Sequence, residues 1–159
     1  WNEIFPSVKI ANRGINGDTI SDILARLDSV LSVQPQRALL MVGINDIYRG
    51  IPVNDIVRDY KIVVSILVQN DIEVIVQSTL ECTIGPGGCG SKKIAAVRNL
   101  NDRLQKYTNE IDLRYIDINK ELSSKETGLL PKYSYDGVHL SAEGYSVWAK
   151  KIEEVIVVR

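Results

Sequence analysis

The chain of 159 residues holds one histidine, one phenylalanine, one methionine and two cysteines. Two cysteines and a distant histidine supply too few soft ligands for a structural zinc, so no metal is expected. No motif calls for a cofactor. No apolar run approaches the ~18 residues that a membrane span needs. Neither sign of charge dominates: 19 basic and 20 acidic side chains leave a net charge of −1. Such a balance creates no overall field to gather nucleic acid or an anionic membrane, and neither is expected as a partner. No signal peptide opens the sequence, and Trp1 is not an initiator methionine. The expectation is that this stretch begins inside a longer chain or at a processed end. Repeats, low-complexity segments and linkers are also missing, which predicts a single domain over residues 1–159. Oligomeric state is not legible.

What is present is ordinary globular material, 45% apolar and 25% charged, with length for a sizeable core. Val8–Asn12 reads as a short strand. A helix follows, capped by Asp18 or Thr19, with Ile20, Ile23, Leu24, Leu27, Val30 and Leu31 on one face. Ala38–Val42 is a continuous apolar run, as in a strand covered on both faces. Further helices are predicted from about Pro52 to Gln69, from Ser91 to Asn109 and after Ser141. Strands are predicted at Ile72–Val76, with a possible continuation to Leu80, and at Leu113–Ile118. A helical turn is possible at Lys120–Ser124. Tyr107, Tyr145 and Trp148 sit at inward helical positions, and Trp1 and Phe5 fall near the rim. Strands alternating with helices predict a parallel sheet with helices on both faces. Ligands in such sheets bind beyond the carboxyl ends of the strands. Loops 12–17, 43–46 and 79–90 all follow strands and share that rim.

Tyr135-Asp136-Gly137-Val138-His139-Leu140-Ser141 contains the sole histidine, three positions after an acid. Histidine exchanges a proton near neutrality, with an unperturbed pKa of about 6.5. A carboxylate on one ring nitrogen would fix its tautomer and steady the imidazolium. An Asp-Gly turn before a partly buried histidine is the plainer alternative. Asn12-Arg13-Gly14-Ile15-Asn16-Gly17 offers a backbone N–H at Gly14, and Gly43-Ile44-Asn45-Asp46 offers the amide of Asn45. Two such donors aimed at one point stabilise a developing oxyanion. Each loop, taken alone, reads more simply as a turn that needs glycine and asparagine. Arg13 and Arg49 are solvated charge, or a greeting for an anionic substrate. Gly85-Pro86-Gly87-Gly88-Cys89-Gly90-Ser91-Lys92 nearly spells a phosphate-binding loop. Its final serine and lysine are exchanged, and Pro86 removes a donor, so nucleotide binding is not expected. Cys82 and Cys89 flank that loop as a disulfide or as two thiols. The first predicts an extracytoplasmic protein and the second a cytoplasmic one.

The three blocks Asn12–Thr19, Gly43–Asp46 and Asp136–Ser141 occur in the order and spacing of the SGNH hydrolases, the GDSL esterases and lipases, which the sequence resembles. The resemblance implies a flavodoxin-like three-layer α/β/α fold and ester hydrolysis through a serine. It implies His139 as general base, Asp136 as its orienting acid, and Gly14 and Asn45 as oxyanion donors. The first block, G-D-S, is absent, and Gly17-Asp18-Thr19 belongs to the second. No G-x-S-x-G elbow replaces it. The nucleophile is therefore expected upstream of Trp1, at the end of a strand lying between the first two strands of this chain. Without that strand, neighbours spaced about 4.8 Å apart would leave a slot edged by two unpaired ladders. The expected activity is hydrolysis of small acyl esters, with acetyl esters of carbohydrates foremost. Lysophospholipase and thioesterase chemistry stay open, as does a non-catalytic binding module on the same fold.

Overall fold

The computed structural model describes residues 4–85 and 87–156. β1 (Arg37–Leu40), β2 (Glu73–Gln77) and β3 (Arg114–Ile116) form a parallel sheet in the order β1-β2-β3. Leu39 lies opposite Ile75, and Val76 opposite Tyr115. Successive side chains leave a strand on opposite faces. Val74 and Val76 accordingly enter one apolar cluster and Ile75 the other. With both faces dry, β2 needs an apolar residue at each of these positions, so it reads as a run and not an alternation.

On the Val74 face lie α1 (Ile20–Ala25), α4 (Val53–Gln69) and α5 (Ser91–Glu110), contributing Ile20, Ile56, Val63, Leu67, Val97 and Leu104. On the Ile75 face lie α6 (Asn119–Leu122) and α7 (Ala142–Ile156), with Leu122, Ala149, Ile152 and Val155. The layers are helix, sheet, helix, as expected. Tyr60 of α4 is wholly buried, and its hydroxyl donates to the Leu40 carbonyl at 3.0 Å. The shorter α2 (Asp28–Leu31) and α3 (Ile44–Tyr48) flank β1 in sequence, and β4 (Ser123–Ser124) pairs antiparallel with β5 (Gly128–Leu129). No described helix is long and apolar enough to cross a membrane.

Four expectations need correction. Residues 8–12 are not a strand. A strand exists through its ladder, and the described residues place no neighbour beside this one. Instead a groove of about 1180 Å³ is lined by residues 8–15 and 33–45. Among the described residues β1 pairs only with β2, so its other edge faces that groove. Trp148 stands in the groove lining, its indole N–H donating to Gln77 Oε1 at 2.6 Å. The first helix is two helices, broken at Arg26 and Leu27; the apolar stripe continues across the break and hides it. Thr19 caps α1 in a reciprocal capping box with Asp22, while Asp18 pairs with Arg26 at 2.6 Å. Tyr145 points outward, 43% exposed, because α7 approaches its neighbours along Gly144. A Cβ there would strike the Tyr133 carbonyl and crowd Leu140. Phe5 is core and not rim; Trp1 and Pro86 lie outside the described residues. The remaining boundaries differ by a residue or two, within the fraying expected at element ends.

Candidate active site

The loop before α7 is built around one carboxylate. Oδ1 of Asp136 accepts the N–H of Val138 at 2.9 Å and of His139 at 2.8 Å. Its Oδ2 lies 2.6 Å from His139 Nδ1. Ser134 Oγ–H donates to the His139 carbonyl at 2.7 Å and accepts the N–H of Gly137 at 2.8 Å. Gly137 has φ of +85°, a conformation that side chains beyond glycine rarely adopt. Three residues thus suffice to fold the acid back onto the ring. The backbone N–H of His139, and then its ring, hold the Asp136 carboxyl down at about 2. An ionised carboxylate only accepts hydrogen bonds, so Nδ1 carries the proton and Nε2 is the nitrogen left to take another. The Tyr135 ring lies 5.9 Å from the imidazole, nearly parallel to it.

The sign of the pH dependence follows. A carboxyl depressed in the folded state contributes stability that is present above its ordinary value of 3.8 and is lost as pH falls through about 2. Asp136→Asn is expected to be less stable than the parent at neutral pH, with the difference closing between those two values. Denaturant unfolding of both proteins across that window checks it.

A disulfide, Cys82–Cys89, closes the loop behind Asp136, its Cα atoms 5.7 Å apart. Thr83 N–H donates to the Gly137 carbonyl at 2.7 Å, and Val138 packs on the cluster of Cys82, Cys89 and Ile94. The loop that nearly spells a phosphate cradle is therefore a buttress.

The two proposed oxyanion donors line the groove. Both are engaged within the chain, which differs from expectation. Gly14 N–H donates to the side chain of exposed Asn12 at 2.9 Å, and Asn45 Nδ2 to the Asp18 carbonyl at 2.9 Å. Asp136 and His139 are not part of the groove lining. α3 joins the two halves. Asn45 is in its first turn and Tyr48 at its end, where the Tyr48 hydroxyl donates to the Gly88 carbonyl at 3.2 Å. Burial, and then the charge of Asp136, push the Tyr48 phenol up. The C-terminal end of α3 and the Asp136 carboxylate are thus in electrostatic reach of one another.

The family model for GDSL-like lipases and acylhydrolases matches residues 1–147. The chain belongs to this family. Its fold matches that of a GDSL-like lipase from Bacteroides thetaiotaomicron, with a TM-score of 0.85, 24% identity, and 91% of this chain and 73% of that one covered. It also matches a catalytic mutant of an acetylxylan esterase from Geobacillus stearothermophilus, with a TM-score of 0.79, 18% identity, and 99% and 77% covered. Among curated proteins, N-acylneuraminate cytidylyltransferase of Streptococcus agalactiae serotype V is 25% identical over 132 residues. That match covers 83% of this chain, which spans 31% of the relative's length.

In this member of the GDSL-like family, the work of Asp46 is not legible in the sequence. It is fully buried, and both its oxygens lie 3.2 Å from the Ile20 N–H, at the start of α1. Burial pushes its carboxyl up. It ties the Asn45 loop to the Gly14 loop through the helix between them. Asp46→Ala strands the Ile20 N–H and is expected to cost about 2–3 kcal/mol in urea unfolding. Also missed was the polar knot after β2. Thr79 Oγ1 donates to the Val42 carbonyl at 2.6 Å, and Asn101 bonds both N–H and C=O of Thr79. The signal available was the polar triplet Gln77-Ser78-Thr79 directly following a buried apolar run.

Proposed function

We propose that this GDSL-like hydrolase is a serine esterase of small acyl esters, acetyl esters foremost. The observation carrying the reading is the single imidazole with its tautomer fixed by an ionised carboxylate. The nucleophile is a serine upstream of Trp1, on a strand that seats in the groove beside the open edge of β1. The apolar walls of that groove and the unpaired ladder support the seating. The serine hydroxyl attacks the acyl carbon while His139 Nε2 takes its proton. Gly14 N–H and Asn45 Nδ2 hold the oxyanion, which requires Asn12 to turn away. Collapse expels the alcohol, which receives the proton from His139. Water, deprotonated by the same nitrogen, then releases the acid and frees the serine. Asp136 keeps its charge throughout and balances the imidazolium.

The acetylxylan esterase that shares the fold supports acetyl as the acyl group. Lysophospholipase and thioesterase chemistry are the alternatives within the class. The disulfide supports an oxidising, extracytoplasmic setting. A second reading, a binding module without turnover, draws on the internal engagement of both oxyanion donors. A fluorophosphonate probe applied to the intact protein separates the two. Labelling of one serine upstream of Trp1, with hydrolysis of a small acetyl ester, is expected. Absence of both overturns the esterase reading.

A further inference from the structure

We propose that the Cys82–Cys89 disulfide is a positioning element for the Asp136–His139 pair, so that its reduction by a dithiol lowers turnover while the sheet and its helices stay folded. The turnover part rests on the reading of that pair as the acid–base couple; the positioning part does not.

The disulfide sits between two fixed anchors. Cys82 is fully buried just beyond β2, and its carbonyl accepts the Leu129 N–H of β5 at 3.3 Å. Cys89 is nearly as buried, two residues before α5. The chain between them carries Gly85, Gly87 and Gly88, and its large apolar residue, Ile84, is 37% exposed. Thr83 Oγ1 donates to the Leu129 carbonyl and the Ile84 N–H to the Thr127 carbonyl, both at 2.8 Å, but glycine backbone loses the most conformational freedom on ordering, so the half from Gly85 to Cys89 depends most on the sulfur link. The Ile84–Cys89 bridge and the Cys89 N–H donated to the Thr83 carbonyl at 2.8 Å become local contacts once the sulfurs are joined.

The Asp136 turn leans on this loop by its backbone. Thr83 N–H holds the Gly137 carbonyl. A Cβ added at Gly137 would lie 3.0 Å from both N and Cα of Gly88, and one added at Gly87 would lie 3.3 Å from the Asp136 carbonyl oxygen. Val138, the residue before the histidine, packs against the cluster of Cys82, Cys89 and Ile94. These are close contacts between main chains, with no flexible side chain to absorb a shift. Freeing the glycine half of the loop therefore removes the Gly87 and Gly88 backstop of the turn that aims the carboxylate at the ring.

In the reductive step a dithiol thiolate attacks one cystine sulfur and forms a mixed disulfide. The second thiol displaces it. The products are two cysteine thiols and the oxidised cyclic dithiol, with two electrons and two protons supplied by the reductant.

His139 is the sole histidine of residues 1–159, and its ring ¹H–¹⁵N signals in the intact protein are those that vanish in His139→Gln. The test compares the intact protein oxidised, dithiol-reduced (verified by a mass gain of two hydrogens), reoxidised, and as Cys82→Ser/Cys89→Ser. Expected on reduction is loss or broadening of the hydrogen-bonded Nδ1–H signal with far-ultraviolet dichroism unchanged. kcat on a small acetyl ester should fall about tenfold to a hundredfold, the scale of an ångström-sized misplacement. Reoxidation restores both, and the double variant behaves as the reduced protein with no response to dithiol. Ring signals indifferent to verified reduction overturn the proposal. Ring signals that move in a protein that hydrolyses nothing in either state uphold the positioning and count against the esterase reading alone. Should the double variant not fold, the reduced parent decides.

Discussion

His139→Gln is expected to lower kcat on a small acetyl ester at least about a thousandfold, with little change in KM. No other imidazole exists in the chain to substitute. Glutamine fills similar space and leaves the backbone bonds of the turn in place, because Asp136 and Ser134 hold residue 139 by its N–H and carbonyl. What it lacks is a nitrogen that takes a proton and gives it back. Steady-state kinetics on the intact protein, beside a thermal melt, separate lost chemistry from lost fold. A variant that melts near the parent and keeps more than a tenth of its kcat would remove His139 from the role of base.

Asn45→Ala is expected to cost 10²–10³ in kcat, about 3–4 kcal/mol of transition-state stabilisation, as removal of one oxyanion donor does. The engagement of Nδ2 with the Asp18 carbonyl sharpens this experiment. A primary amide has two N–H groups, so one can hold Asp18 while the other faces the oxyanion. Losing the Asp18 bond alone should cost about 1 kcal/mol of stability and leave kcat nearly untouched. Kinetics and urea unfolding therefore report on different hydrogens of one side chain. A loss in kcat under threefold, with stability reduced, would make Asn45 a brace for the Asp18 loop and nothing more.

The parts of this molecule legible in its sequence are those whose cause is local. The run through β2 and the stripes of α4 and α5 follow from burial at a fixed period, and they fall where that period puts them. The approach of Asp136 to His139 is local too, three residues apart with a glycine between. Residues 8–12 have the composition of a strand but lack the condition for one, since pairing depends on a neighbour far along the chain. Gly144 is core and Tyr145 is not, because a glycine that admits close approach leaves no hydrophobic mark to count. Asp46 belongs to a recognisable block, yet its tie to Ile20 spans 26 residues and is visible only once folded. The sequence leaves the two cysteines bonded or free, because their pairing depends on the loop between them turning back on itself.

The place of Trp148 in the groove wall makes the protein its own optical gauge. Within residues 1–159 the other tryptophan is Trp1, so Trp1→Phe would leave this stretch with the emission of one indole, hydrogen-bonded to Gln77 at the lip of β2. The seating of the upstream strand in that groove changes the polarity around this indole, and a fluorimeter would register its docking and release during unfolding with no label attached.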